Sequence, residues 1–327
     1  MKDRPVLHLN VMVPPPRPGT TGVFPAWRQM VGDLEAVGTT ALVVNDPGPH
    51  PLTADGATAV VADSTTLVAS VARVTRRIGL VTSGSARYGQ PFNMAREIAG
   101  LDHLTGGRTG WHVMPLGNAL QDAEFGLDPA TPTDARLRRA GEFVDVALGL
   151  WDGWAPGAQV PDRASGSWVD TARIHALRHV GEFYLVDGPL DTPRSPQGRP
   201  LLFSSPSDRD EEIAFAAGVA DVVMPWTASP QDALRTAEAL HERAAGAGRP
   251  SGSVVVAPVA MTGPHHQAAA QLGRPAGSSW TADRPADLVA QVLDLAATGS
   301  VGGITLAGLL GPELLAFVAE TARLLET

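Results

Sequence analysis

Residues 78–115, IGLVTSGSARYGQPFNMAREIAGLDHLTGGRTGWHVMP, decide the fold. A short apolar, β-branched run (78–85) leads into a helical pattern (91–106) and then into a second strand-like run (108–115). That order is a β-α-β unit, which sets two parallel strands side by side with a helix across one face. Outward from this unit the same alternation recurs. Strand-like runs lie at 6–13, 40–46, 78–85, 108–115, 200–205, 220–225, 253–261 and 302–307. Helical patterns lie at 25–38, 63–75, 91–106, 135–154, 209–219, 230–246, 284–298 and 311–326. Eight such repeats in 327 residues predict an α/β protein, a single (β/α)8 TIM barrel with 1–327 as one domain. The rival is an open Rossmann-like sheet, and its marks are missing. No G-x-G-x-x-G follows the first strand and no G-x-x-x-x-G-K-[ST] occurs anywhere. The irregular stretches at 14–24, 47–62, 116–134 and 262–283 follow strands 1, 2, 4 and 7, and 155–199 follows the fourth helix. Irregular sequence therefore collects on the C-terminal face of the barrel, where such folds build their sites.

Composition narrows the function. Hydrophobic residues make up 44% and charged residues 18%, an ordinary globular balance. No apolar run approaches the about 18 residues that would span a bilayer. The start, MKDRPVLHLNVMV, passes from charge straight into a strand-like run without a leader-like apolar core, so export is not expected. With no cysteine there are no disulfides, thiolate metal sites or cysteine nucleophiles, and a reducing cytoplasm is the expected home. A net charge of −9 without any Lys/Arg block argues against nucleic acid and leaves a small organic molecule as the expected partner.

Three segments go beyond fold class: PFNMAREIAGLDHLTGGRTGW (91–111), RLRRAGEFVDVALGLWDGW (136–154) and TARIHALRHVGEFYLVDGPLDTPRSPQGRP (171–200). Together they resemble one branch of the bacterial-luciferase-like flavin monooxygenase superfamily. That branch is the family of nitrilotriacetate monooxygenase component A, the large subunit of pristinamycin synthase and dibenzothiophene-sulfone monooxygenase. The likeness runs collinearly from residue 6 to about 225 and resumes over 284–325, and GPLDTPRSPQGRP is its most specific run. It implies a barrel enzyme that takes reduced FMN from a separate flavin reductase and uses O2 to oxygenate a small organic substrate. The cofactor then carries the hard chemistry, and the protein positions it and excludes water. Homodimerisation, or pairing with a paralogue, is a further expectation from the family.

The resemblance also assigns residues. Asp46, in VVND at the end of strand 2, matches an aspartate near the flavin in relatives; before Pro47-Gly48 it reads equally as a turn residue. Ser83, in LVTSGS, replaces a flavin-contacting threonine and keeps the hydroxyl. Ahead of the fourth helix, relatives carry His-Asp-x-Arg-Tyr, whose two rings contact the cofactor. Here Thr133-Asp134-Ala135-Arg136-Leu137 keeps one hydroxyl, and Leu137 reads as a helix-core leucine. After strand 5, relatives present a Ser-Ser-x-x-Gly-Arg loop to the FMN phosphate. The corresponding Ser207-Asp208-Arg209-Asp210-Glu211-Glu212 puts acids there with only Arg209 to offset them, and a helix capped by its own acids explains the run without a ligand. In strand 4, His112 stands where relatives have Asn, followed by Met114-Pro115-Leu116 in place of a Thr-Ser pair. At the C-terminal end of a barrel strand His112 is the candidate general acid or base, its unperturbed pKa being near neutrality; the alternative is a hydrogen-bonded core histidine. The long insertion that relatives carry after strand 7 is shortened to about twenty loop residues.

Other signals carry less. His175 and His179 are spaced as metal ligands on a helix would be, but the segment has no metal role in the family. His265-His266 reads as a solvated pair. Trp151 and Trp154 read as packing residues, and Trp226 as the better pocket candidate. No G-x-S-x-G elbow appears, which disfavours a hydrolase. The leading reading is an FMN-dependent, two-component monooxygenase with a degenerate cofactor site. The alternatives are a flavin-free partner subunit of an active paralogue and a cofactor-independent acid/base enzyme using His112 and Asp46.

Overall fold

A computed structural model describes residues 7–17, 22–46, 60, 62–262, 272, 273, 275, 278 and 280–326. Eight parallel strands close into a barrel: β1 (His8–Val13), β2 (Ala41–Val44), β3 (Gly79–Ser85), β4 (Thr109–Met114), β5 (Leu201–Ser204), β6 (Val222–Val223), β7 (Val255–Val256 continued by Val259–Thr262) and β8 (Gly303–Ala307). Each pairs with the next, and β8 returns to β1 with Leu9 opposite Ile304. Strand β7 is split at Ala257-Pro258, because proline has no N–H to give the ladder. Its first half closes against β6 and its second against β8, with Pro258 still accepting from Thr305 N at 2.9 Å.

Alternation with a period of two sorts the side chains. Val11, Val13, Leu42, Val44 and Leu80 face the helical shell, whereas Met12, Val43, Val81, Phe203, Met224 and Met261 fill the barrel. On β4 the outward places belong to Trp111 and Val113, which pack with Phe143 and Trp151. His112, between them, therefore points inward. The sequence placed the strands and helices correctly to within a few residues. The shell helices are α1 (Val23–Ala36), α2 (Ser64–Val71), α3 (Pro91–Thr105), α4 (Ala119–Glu124), α5 (Thr133–Asp152), α6 (Asp210–Val219), α7 (Pro230–Gly246), α8 (Pro285–Ala297) and α9 (Pro312–Glu326). Two segments read as irregular hold order: 116–134 contains α4, and 155–199 contains two small hairpins, Gln159–Asp162 with Ser167–Val169 and His179–Val180 with Leu185–Val186.

Helix ends follow local chemistry. Asp63 caps α2 by accepting from Thr66 N at 2.8 Å, Ser229 caps α7 from Asp232 N at 3.1 Å, and Gly106 closes α3 in the left-handed region. The run GPLDTPRSPQGRP is fastened by buried Asp102 at the end of α3. Ser195 Oγ and Gln197 Nε2 donate to its carboxylate, which also accepts from Thr109 N at 2.9 Å and so reaches the start of β4. Arg199 then pairs in bidentate fashion with Asp221 at 2.8 and 2.9 Å, which joins β5 to β6. Trp151 and Trp154 do pack, donating to Ala95 O and Leu190 O. Among the described residues no helix is long and apolar enough to cross a membrane. His265-His266 and most of the segment after β7 lie outside the described residues.

Candidate active site

A cavity of about 420 Å³ opens at the C-terminal ends of β4, β5 and β6, the face on which α/β barrels carry their chemistry. Asn45, His112, Ser205, Ser207 and Glu212 supply much of its polar lining, and Trp226 and Phe215 much of its apolar lining. Trp226 thus sits where its position just past β6 predicts.

His112 is the centre of a fixed chain of hydrogen bonds. Its Nδ1 lies 3.1 Å from Ser83 Oγ and its Nε2 2.8 Å from Ser205 Oγ. Ser83 spends its one proton on Val44 O at 2.9 Å and accepts from Asp46 N at 3.2 Å. The imidazole proton must then be on Nδ1, donated to Ser83, while Nε2 accepts the Ser205 hydroxyl. Burial pushes the His112 pKa down to about 4. The expectation of a near-neutral titrating group is corrected accordingly: an imidazole with 1% exposure gains no compensating anion here, so it stays neutral at pH 7.

The start of α6 shows what became of the phosphate position. Ser207 N–H donates to Glu212 Oε2 at 3.0 Å, and Ser207 Oγ accepts from Arg209 N at 3.3 Å. Asp210, Glu211 and Glu212 fill the first turn. These bonds lie just ahead of the helix, whose N-cap Arg209 makes no side-chain cap bond, so the acids of the first turn answer the positive end of the helix dipole by charge and not by capping its N–H groups. A phosphate at this turn would meet the carboxylates of Asp210, Glu211 and Glu212.

The remaining residues expected in the site are dispersed. Ser207 lines the cavity, but Asp208 lies on a neighbouring depression with Asp232 and Arg235. Thr133, at the first turn of α5, and Leu137, buried one turn later, are not among the cavity residues. Leu137 is the helix-core leucine that its type suggests. Asp46 and Ser83 act behind the wall, through the bonds to His112 and β2, and do not line it. His179 leaves the metal-like spacing by bonding to Glu142 at 3.0 Å, whose carboxylate also accepts from Phe183 N and Tyr184 N.

Two functional side chains escaped the sequence reading. Asn45 is 2% exposed, donates from Nδ2 to Leu272 O at 2.7 Å, and leaves Oδ1 without a partner. Ser205 reaches a histidine 93 residues earlier in the chain. Only the position of each at a strand's C-terminal end could have flagged them. The loop 115–131 that forms one wall is pinned by buried Asp122, which pairs with Arg87 at 2.5 Å and accepts from Tyr88 Oη at 2.8 Å. Arg136 stands 3.0 Å from its second oxygen, an ion pair without hydrogen-bond alignment.

Comparison with known proteins sets this geometry in context. The family model described as luciferase-like monooxygenase matches residues 11–290. N-acetyl-S-(2-succino)cysteine monooxygenase of Bacillus subtilis (strain 168) is 35% identical over 193 residues, covering 59% of this chain and 44% of that protein. Nitrilotriacetate monooxygenase component A of Aminobacter aminovorans is 37% identical over 193 residues, covering 59% and 42%. The matched stretch thus spans less than half the length of these relatives. The crystal structure of a long-chain alkane monooxygenase superposes with a TM-score of 0.82 at 18% identity, covering 98% of this chain and 91% of that one, a likeness of fold.

Proposed function

Because the chain belongs to the luciferase-like monooxygenase family, we propose that it is an oxidoreductase acting on a small organic substrate in the cavity over β4–β6. On this reading it is one barrel working in the cytoplasm with flavin reduced by a separate reductase, and the flavin is held by its ring system and not by a phosphate at α6. The observation that carries the proposal is the cavity itself. It lies at the strand ends, is walled by Trp226, Phe215 and Leu116, and has a few polar atoms held rigidly at its base. The chain's own contribution is positioning and water exclusion. Neutral His112 fixes Ser205, and Asp122 fixes the loop that forms the wall.

The test is O2 uptake by the purified protein supplied with enzymatically reduced riboflavin or FMN, together with a panel of sulfides, sulfones and alkanes. Substrate-dependent uptake with formation of an oxygenated product supports the proposal. Flavin that neither binds nor turns over with any member of the panel sinks it.

One observation favours a second reading. The acidic first turn of α6 suits a flavin-free partner of an active paralogue, since Glu212 already accepts from Ser207 N–H and adds charge that would repel a phosphate. Co-expression with a full-length homologue and light scattering on the purified material separates the two, because only this reading requires a stable hetero-oligomer. Acid/base chemistry by His112 and Asp46 without cofactor has less support, as an imidazole with a pKa of about 4 offers no proton at neutral pH.

A further inference from the structure

Resting on the reading that this cavity receives the organic ligand, we infer that it selects molecules bearing an N–H or O–H donor, and that Asn45 is the residue that selects them. The orientation of the Asn45 amide is fixed without ambiguity. Leu272 O can only accept, so the group 2.7 Å from it is Nδ2, and Oδ1 faces away. That oxygen belongs to a residue that is only 2% exposed and lines the cavity, and it has no partner. A buried amide carbonyl left unpaired weakens the fold, and among the described residues with such an atom Asn45 is the one that lines this cavity.

Proton accounting at the other side of the cavity gives the same sign. Ser205 commits its hydroxyl proton to His112 Nε2, so toward the cavity it offers lone pairs only. Glu212 adds a carboxylate. The hydroxyls of Ser204 and Ser207 can turn either way and do not discriminate, and Arg209 is an exposed group at the mouth. The fixed acceptors inside therefore come from two strand ends, β2 and β5, and from the first turn of α6. An amide, imide or amine satisfies them. An ether, ester or tertiary amide of equal size leaves Asn45 Oδ1 unpaired in the complex, and such unmade bonds discriminate more strongly than apolar fit does.

Two neutral probes that differ only at the donor test this: phthalimide and N-methylphthalimide, titrated into the full chain by ligand-observed NMR. The N–H imide is expected to bind at least about fivefold more tightly, the worth of one net hydrogen bond. In Asn45→Leu the preference disappears, while Phe215→Leu, which trims the apolar wall and leaves the Asn45 amide in place, retains it. Equal affinity for the two imides, no binding of either, or a preference that survives in folded Asn45→Leu overturns the inference. The outcome does not depend on flavin. Failure to bind flavin leaves the imide comparison intact, and equal imide binding by a protein that oxygenates substrates removes this inference alone.

Discussion

Replacing Glu212 by serine should open the start of α6, where a carboxylate of the first turn now holds Ser207 N–H, to an anion. Glu212 Oε2 sits 3.0 Å from Ser207 N, so a phosphate can use that N–H only by displacing the carboxylate. The displaced group would remain within about 6 Å, where two unit charges at an effective dielectric near 20 repel by ~3 kcal/mol. A phosphate monoester carries about −1.5 to −2 charges near neutral pH, which raises the figure. Screening at the rim and the nearby Arg209 lower it, and ~2 kcal/mol, about 30-fold in affinity, is a conservative value. Calorimetric titration of wild type and Glu212→Ser with FMN and with riboflavin makes the comparison, because the two ligands share the ring and differ in the phosphate. FMN should gain about 30-fold in the variant while riboflavin changes by less than about threefold. If FMN gains nothing, or if both flavins gain alike, the electrostatic reasoning about α6 is wrong.

Asp122→Asn should cost ~3 kcal/mol in urea unfolding, because it leaves the guanidinium groups of Arg87 and Arg136 without their shared anion in a buried site. Although burial alone would raise the Asp122 pKa, the bonds from Arg87 and Tyr88 hold it below the ordinary carboxylate range. Its contribution is therefore present above the unfolded-state value and lost as pH falls through the lower folded one, so the variant should show a shallower acid limb in the same measurement. His112 titrates from an ordinary value of 6.5 when unfolded to about 4 when folded, so its contribution is complete above about pH 6.5 and declines as pH falls toward 4. Between pH 7 and 5 wild type should lose ~2 kcal/mol that His112→Gln does not lose, read from urea midpoints at the two pH values. Gly117→Ala should lower the unfolding temperature and weaken ligand binding in the cavity. Gly117 has φ of 68° and an added Cβ would meet the Tyr88 ring, which together cost ~2 kcal/mol or more.

The barrel was legible because its signals are local and repeated. The parity of Trp111, His112 and Val113 on β4 already separates an inward histidine from its outward neighbours, and Pro91 and Gly106 bracket α3 within a residue. The site was less legible because its bonds join residues far apart in the chain. His112 finds Ser205 across 93 positions, and Asn45 finds Leu272 across 227. Nothing near either residue announces those contacts. The pKa of His112 is also a product of enclosure, which no neighbouring residue encodes. The reading of DRDEE as acids that cap the helix is met in charge alone: three acids stand in the first turn of α6, but its N-cap Arg209 makes no side-chain cap bond, and Glu212 reaches back to Ser207 N.

The most specific run in the sequence, GPLDTPRSPQGRP, turns out to serve architecture. Ser195 and Gln197 lock onto Asp102, and Arg199 locks onto Asp221, so the run ties α3, β4, β5 and β6 together beneath the cavity and contributes no side chain to its lining. A family likeness carried by such a run certifies the barrel independently of the chemistry above it. The cofactor positions lie elsewhere, in short loops whose stability is settled locally. Glu212 satisfies Ser207 N–H, and Leu137 is buried among the core residues of α5. Several buried side-chain atoms among the described residues lack a partner, but only Asn45 Oδ1 belongs to a residue that lines this cavity, and persistence of an uncompensated buried acceptor beside an intact cavity is what a site still in use, for a donor-bearing ligand, would retain.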